Sequence, residues 1–237
     1  MTVRGPSDTP LNRPIGPRRR FDWWTLGLAA VRQVKAALGG TINDVVLATA
    51  TGAFRRFLLD RGVPVADLDF RALVPVSVRR PDERGALGNR VSGWIVRLPL
   101  AEGDAKKRIR QISAEAATLK ASKHALGAEL LTGVIDWAPA TLLSLGARAA
   151  ARVLPFNTIV TNVPGPQLPI YLLGARLLAA YPHVPLVDRV GLAIALMSYA
   201  GSLHWGVSAD YERVPDLRSF VRRSRRRTRD SRRASTP

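Results

Sequence analysis

The 237-residue sequence contains no cysteine, which excludes disulfide-stabilised scaffolds, zinc sites with cysteine ligands and catalysis by a thiol. It also lacks an unbroken apolar run of about 18 residues, so no transmembrane helix is predicted. The best candidates are short (190–201) or broken by arginine (138–156). The first 20 residues carry charge and proline but no apolar stretch of the kind found in secretory signals. We therefore expect a cytoplasmic protein.

Histidine is almost as scarce, with His124, His183 and His204 as the only three. None has a carboxylate at the sequence spacing of a catalytic triad or a metal site, although residues distant in the sequence could supply partners. We expect His124 at a helix end, His183 between prolines and His204 on the polar side of a strand. Glycine-rich phosphate loops, HExxH and EF-hand patterns are also missing. The residues alone predict no self-sufficient active site and no metal site.

The net charge of +18 is concentrated at the two ends of the chain. Residues 1–20 contain five arginines and one aspartate, and residues 218–237 contain nine arginines and one aspartate. Basic ends of this composition are typical of solvated, disordered tails. Only Phe220 lies among the C-terminal arginines, so base stacking on nucleic acid is not favoured. Attraction to anionic lipid head groups, at roughly 1 kcal/mol per basic residue, is an alternative role for the tail.

Between these ends, helical and strand periodicities alternate, which predicts one α/β domain with a mixed sheet. We expect an extended lead-in at 1–20, the domain at 21–217 and an arginine-rich tail at 218–237. Strands are predicted at 21–27, 70–78, 91–98, 156–163, 175–181, 190–198 and 202–209. Helices are predicted at 28–38, 41–60, 104–123, 139–153 and from about 215.

The predicted helix after Gly39-Gly40 begins with two adjacent polar residues, Asn43 and Asp44. Asp44 has a structural explanation, because Thr41 at the N-cap and an acidic residue three positions later form a capping box. Asn43 has none, since the helix that follows is apolar or small on nearly every face. Its amide either ties a loop to the helix or points into a cavity where a ligand supplies the hydrogen bonds. The residues alone favour the loop tie.

A second distinctive motif is the turn NVPGP, Asn162–Pro166. Pro164 and Pro166 fix φ, and we expect Gly165 to adopt a positive φ, so the preceding strand should stop sharply. A rigid turn is the first interpretation of this motif. The alternative is a loop that lines a pocket at the end of a strand, where sites in α/β folds often form.

Several segments together resemble the bacterial wax ester synthase/diacylglycerol acyltransferases in order and register. They are TPLNRPIGPRRRF, GGTINDVVLATATGAFRRFLLDRG, RALVPVSVR, LGNRVSG, TNVPGPQLPIYLLGARL, SYAG and WGVSADYERVPDL. The resemblance spans residues 9–217. It implies the CoA-dependent acyltransferase fold, in which two similar α/β lobes enclose a tunnel, and it identifies this chain as the C-terminal lobe.

The same resemblance implies an activity and places its catalytic base outside this chain. The family motif HHxxxDG lies in the N-terminal lobe, where a histidine acts as general base on an alcohol that attacks an acyl-CoA thioester. This sequence contains no such motif. The expected substrates are acyl-CoA and diacylglycerol or a fatty alcohol, with no separate cofactor, and the expected partner is an N-terminal lobe in cis or in trans. An anionic membrane or lipid-droplet surface is a further expected contact.

By the position of the family's NDVVLA motif, Asn43 and Asp44 would line the active site from the C-terminal side. Asp44 would orient the turn, and Asn43 would position the substrate or the catalytic histidine. A missing lobe should leave an apolar patch of more than a few hundred Å² around Asn43. Two alternatives remain: a non-catalytic lipid-surface or regulatory module of the same fold, and a nucleic-acid-binding protein whose affinity falls steeply with salt.

Overall fold

The computed structural model describes residues 5–77, 91–121, 154–222 and 224, which build a six-stranded sheet with helices against one face. The sheet strands are β1 (Arg19–Gly27), β2 (Arg71–Ser77), β3 (Val91–Arg97), β4 (Thr158–Pro164), β7 (Leu192–Tyr199) and β8 (Ser202–Asp210). The helices are α1 (Leu28–Leu38), α2 (Ile42–Leu59) and α3 (Ala105–Ala121), and β5 (Tyr171–Leu172) pairs with β6 (Ala175–Arg176) in a separate hairpin.

The strand order is β1-β8-β7-β4-β2-β3. β1, β7, β4 and β2 run in one direction, whereas β8 and β3 run in the other. The predicted α/β fold with a mixed sheet is therefore confirmed. The predicted helix at 139–153 and His124 lie outside the described residues.

Strand β8 shows how the sheet is covered on both faces. Leu203, Trp205 and Val207 belong to the main core beneath the helices, and Trp205 stacks on Trp24 of β1 with ring centroids 4.7 Å apart. The alternate residues His204 and Gly206 face the opposite side, and they are buried as well. Burial on both faces explains why β7 and β8 carry apolar or small residues at nearly every position.

Helix α2 is the central element of the helical layer, and its residues from Asp44 to Ala53 are buried except Thr49. Helix α3 packs against it through the apolar face that its periodicity predicts, including Ile109 and Ile112. A buried arginine fixes the two helices. Arg108 Nε donates to the Ala48 carbonyl at 3.0 Å, and its Nη1 donates to the Glu102 carbonyl at 3.0 Å.

The opposite face of the sheet is crossed by residues 177–190, which we call the strap. Tyr181 Oη lies 2.9 Å from Thr25 Oγ1 of β1, and the His183 ring contacts the Phe21 ring at 5.7 Å. The strand predicted at 175–181 is wrong, since only Ala175–Arg176 pairs. Pro182 and Pro185 lack the amide protons that a sheet ladder needs, so the strap runs as irregular chain.

Gly206 permits the strap to lie this close to β8, because a β-carbon at this position would overlap the Pro182 carbonyl oxygen and touch the Phe21 ring. Gly206→Ala should therefore lower the free energy of unfolding by about 1–3 kcal/mol, the usual cost of overpacking a core. Gly27→Ala is the matched control, since a β-carbon there meets no atom within 4 Å. Urea unfolding of both variants measures the difference. Equal midpoints for the two would show that the strap is not held against β8.

The prediction of an extended lead-in at 1–20 is wrong for the residues that the structure describes. Pro10–Asn12 form a 3-10 helix, and Leu11 is fully buried in the main core. The Asn12 side-chain amide donates to the carbonyls of Asn157 at 3.0 Å and Arg189 at 2.9 Å. Proline at the first helical position needs no amide donor, so proline did not prevent local order here. The N-terminal segment is part of the domain.

The predicted C-terminal helix exists and begins at 217. Phe220 and Val221 are buried, and the Phe220 ring contacts Phe54 and Phe57 of α2. The assignment of residues from 218 onward to a solvated tail is therefore wrong for the beginning of that range. Apolar positions between the arginines anchor this helix to the core. Residues 225–237 lie outside the described part of the chain.

Two tight turns have paired positive φ values, the pattern of type I′ turns. The predicted turn between β7 and β8 places Ala200 at φ 44° and Gly201 at φ 78°. The turn between β5 and β6 places Leu173 at φ 49° and Gly174 at φ 82°. A left-handed conformation costs a residue with a β-carbon roughly 1–2 kcal/mol. The second turn therefore carries a leucine where asparagine, aspartate or glycine is usual.

Candidate active-site surface

The start of α2 has the predicted capping box. The Thr41 amide donates to Asp44 Oδ2 at 2.7 Å, and the Asp44 amide donates to Thr41 Oγ1 at 3.2 Å. The Asp44 side chain is buried beside Gly40, and a β-carbon on Gly40 would lie 3.3 Å from Ser113 Oγ of α3. Asp44 therefore fixes the turn before α2, and Gly40 of that turn lies close to the middle of α3.

Asn43, one residue earlier, is half-buried and differs from Asp44 in its bonding. Among the residues that the structure describes, no hydrogen-bond partner is found for its side-chain amide. Within the described residues, the loop tie that the residues alone favoured is thus not observed. An amide group at the partly open start of a rigid helix can donate to and accept from another molecule.

The turn at Asn162–Pro166 ends β4 as predicted, but Gly165 does not have a positive φ. Its role is steric, because a β-carbon at Gly165 would overlap the Ser198 carbonyl oxygen of β7. The Gly165 amide donates to Ser198 Oγ at 3.2 Å, and the Ala200 amide donates to the Pro166 carbonyl at 3.2 Å. The turn is held rigidly against the β7–β8 turn.

β4 changes its pairing along its length. It pairs with β2 only through Thr158 and Ile159, and from Val160 onward its described partner is β7. Pro75 of β2 lies two residues beyond the last pair and has no amide proton to donate. Beyond Ile159 the edge of β4 that faces β2 has no strand partner among the described residues, and Asn162 lies half-buried on this open edge. The carboxyl ends of sheet strands are the usual position of α/β ligand sites.

No hydrogen bond joins the α2 start to the Asn162–Pro166 turn within the described part of the chain. The structure thus supports two separate features, one at Asn43 and one at the open edge of β4. Within the same residues, no group of three or more histidine, aspartate or glutamate side chains could hold a metal ion.

His204 lies on the face of β8 opposite Trp205, the side that the sequence predicts to be polar, but the strap covers that face and leaves the residue 3% exposed. Its Nδ1 lies 3.1 Å from Thr25 Oγ1, and its ring packs edge-on against Tyr181. The Nε2 atom makes no well-formed hydrogen bond among the described residues. Burial lowers the pKa of His204, and the backbone carbonyl of Tyr199 partly opposes that shift.

This pKa shift predicts a pH-dependent stability. The unfolded chain binds a proton at His204 near the ordinary pKa of 6.5, whereas the folded state disfavours the imidazolium. The stabilising contribution is present above pH 6.5 and is lost as the pH falls toward the lowered pKa. His204→Asn keeps a polar atom near Thr25 but cannot be protonated, so it should flatten the fall in Tm between about pH 7 and pH 5. His183→Asn is the control, and an unchanged pH profile in His204→Asn would contradict the assignment.

Among the described residues, the large apolar side chains that are most exposed lie on one segment, 163–178, and the apolar patch around Asn43 stays a prediction. They include Leu168, Tyr171, Leu172, Leu173 and Leu178. Sequence reasoning missed this surface, although the stretch QLPIYLLGARLL, with one charged residue, was the signal for it.

Comparison with known proteins identifies the family of the chain. The family model of the WS/DGAT C-terminal domain matches residues 87–227, more than half of the sequence. The chain belongs to the wax ester synthase/diacylglycerol acyltransferase family. The model of the family's catalytic domain matches residues 1–46. That second match ends three residues after Asn43 and includes Asp44.

Relatives of the chain are about twice its length. A Mycobacterium tuberculosis protein named as a diacylglycerol O-acyltransferase is 37% identical over 218 residues, which cover 88% of this chain and 42% of that protein. A probable diacylglycerol O-acyltransferase of the same species is 32% identical over 228 residues, covering 93% of this chain and 48% of the relative. The chain spans about half the length of the relatives it matches.

Solved structures show the same fold. The wax ester synthase/diacylglycerol acyltransferase from Marinobacter aquaeolei VT8 superposes with a TM-score of 0.76 at 24% identity, over 97% of this chain and 52% of that one. A variant of the starter condensation domain of rhizomide synthetase, solved with C8-CoA, superposes with a TM-score of 0.60 at 16% identity, over 95% of this chain and 48% of that one. In the described residues of this chain, no helix combines the length and apolarity needed to cross a bilayer.

Proposed function

We propose that the chain acts as the C-terminal half of an acyl-CoA-dependent O-acyltransferase that esterifies diacylglycerol or a fatty alcohol. The observation that carries the proposal is the family match over residues 87–227 in a chain that spans about half of its relatives. The catalytic base would be the histidine of an HHxxxDG motif on an N-terminal lobe, in cis or in trans, because this sequence contains no such motif.

In the proposed reaction the histidine takes the proton of the acceptor hydroxyl, and the oxygen attacks the thioester carbonyl carbon. The carbon–sulfur bond then breaks, the ester forms, and CoA leaves as the thiol after receiving a proton. No redox step or separate cofactor is needed, since acyl-CoA is itself a substrate. The product is a triacylglycerol or a wax ester, depending on the acceptor.

Asn43 is the residue of this chain that we assign to the site. Its side chain is half-buried, has no hydrogen-bond partner among the described residues, and lies within the stretch that matches the catalytic-domain model. Asp44 holds the turn that carries it. The open edge of β4 at Asn162, with the rigid turn Pro164-Gly165-Pro166, is the candidate wall of the acceptor pocket.

The test is to mix the purified chain with an N-terminal lobe that bears HHxxxDG and to measure transfer of a labelled acyl group from acyl-CoA. Diacylglycerol and a long-chain alcohol are supplied separately to identify the acceptor. Ester formation that requires both proteins supports the proposal. If a stable complex forms with no transfer to either acceptor, the chain is a non-catalytic module of the fold.

A further inference from the structure

The β5–β6 hairpin projects from the domain with an apolar surface that the domain itself does not cover. Leu173 at its tip is 100% exposed, and Leu168, Leu172 and Leu178 are 77%, 76% and 83% exposed. Arg176 is the only charged residue between 167 and 178. Monomeric proteins seldom expose so many neighbouring large apolar side chains unless the surface binds something.

The hairpin is held rigidly and does not behave as a loose loop. Tyr199, at the end of β7, accepts a hydrogen bond from the Ile170 amide at 2.8 Å and donates one to the Leu177 carbonyl at 3.0 Å. The Leu177 amide donates to the Ile170 carbonyl at 2.9 Å. One buried hydroxyl therefore closes the base of the hairpin on both sides, so its tip is presented in a fixed orientation.

Leucine at the tip of the hairpin is unfavourable for the stability of this domain. Leu173 has a positive φ, a conformation that suits asparagine or glycine, and its side chain is fully exposed. Folding of this domain gains nothing from a leucine at that position. Strained residues of this kind persist where another function selects them.

We propose that the β5–β6 hairpin is a docking arm whose apolar tip inserts into the half of the enzyme that this chain does not cover. The inference rests on the proposed function. The relatives of this chain are about twice as long as it is. The catalytic-domain match within this chain is limited to residues 1–46. The half of the relatives that this chain does not cover is therefore the partner that we assign to the apolar arm.

The composition of the arm favours a protein partner over an anionic membrane. Arg176 is its one charged residue between 167 and 178, so the arm carries little of the positive charge that anionic head groups attract. Its most exposed large side chains are leucines and a tyrosine, which suit an apolar pocket on a protein.

The experiment measures binding of this chain to the uncovered half of the Mycobacterium tuberculosis relative that is 37% identical. Leu173→Asn is the principal variant, because Asn-Gly suits a type I′ turn and should leave the Tm equal or higher. Its Kd should be weaker by about tenfold or more, as for removal of a central interface residue. Leu172→Ser should weaken binding similarly. Leu59→Ser, an exposed leucine at the end of α2, is the control and should bind as the wild type does.

Each outcome decides a different point. If both variants bind and support transfer as the wild type does, the docking role of the hairpin is overturned, while the proposed function is supported. If the wild type binds without transfer and the variants lose binding, the docking role is supported and the proposed function fails. A clear loss of Tm in Leu173→Asn would make the tip structural and overturn the inference. If the wild type binds no lobe but binds vesicles of phosphatidylcholine and phosphatidylglycerol through the leucines, the arm is a lipid-binding element instead.

Discussion

Purified alone, the chain should transfer no acyl group from acyl-CoA to diacylglycerol above background. The reason is chemical, since none of its three histidines belongs to an HHxxxDG motif and His204 is buried beneath the strap. An alcohol without a general base is a weak nucleophile, and such a base typically contributes about 10²–10⁴-fold to the rate. Addition of a lobe bearing the motif should raise the rate by a factor in that range.

The controls separate catalysis from nonspecific stabilisation. A lobe whose motif histidine is replaced by alanine should still bind the chain but leave the rate at background. Omission of the chain should do the same, because the proposed site is formed by both halves of the enzyme. Rapid transfer by the isolated chain would contradict this account and would require a base among His124, His183 and His204.

Local interactions made the start of α2 predictable from sequence. Thr41 and Asp44 lie three residues apart, so their reciprocal hydrogen bonds need no information from the rest of the fold. The turn at Ala200-Gly201 between two predicted strands was predictable for the same reason. The resemblance to the family, and not periodicity, supplied the assignment of Asn43 to a site.

The errors arise where distant segments decide the outcome. Period-2 alternation correctly placed His204 on the face opposite Trp205, but only the strap, about twenty residues earlier, makes that face buried. Arg108 is a charged residue on the amphipathic helix α3. It is buried because carbonyl groups of α2 and of the turn before α3 accept hydrogen bonds from its guanidinium group. Leu173 gave no turn signal because leucine is disfavoured at its φ.

Replacement of Asn43 should affect catalysis and not stability in the proposed two-lobe enzyme. Asn43→Ala should lower the restored transfer rate by about 10- to 100-fold, the effect expected when a positioning group is lost. The Tm should stay equal or rise slightly, because alanine favours the helix and no hydrogen bond among the described residues is broken. Transfer rates and thermal unfolding of the same preparations measure both quantities.

Asp44→Ala is the matched variant, since it removes the capping box one residue away. It should destabilise the chain by about 0.5–2 kcal/mol, through loss of the bond that Asp44 accepts from the Thr41 amide. The two variants therefore have opposite signatures: Asn43→Ala reduces the rate without loss of stability, and Asp44→Ala reduces stability first. If Asn43→Ala retains the full restored rate, the side-chain amide of Asn43 is not part of the acyl-transfer site. The open edge of β4 at Asn162 is then the remaining candidate on this chain.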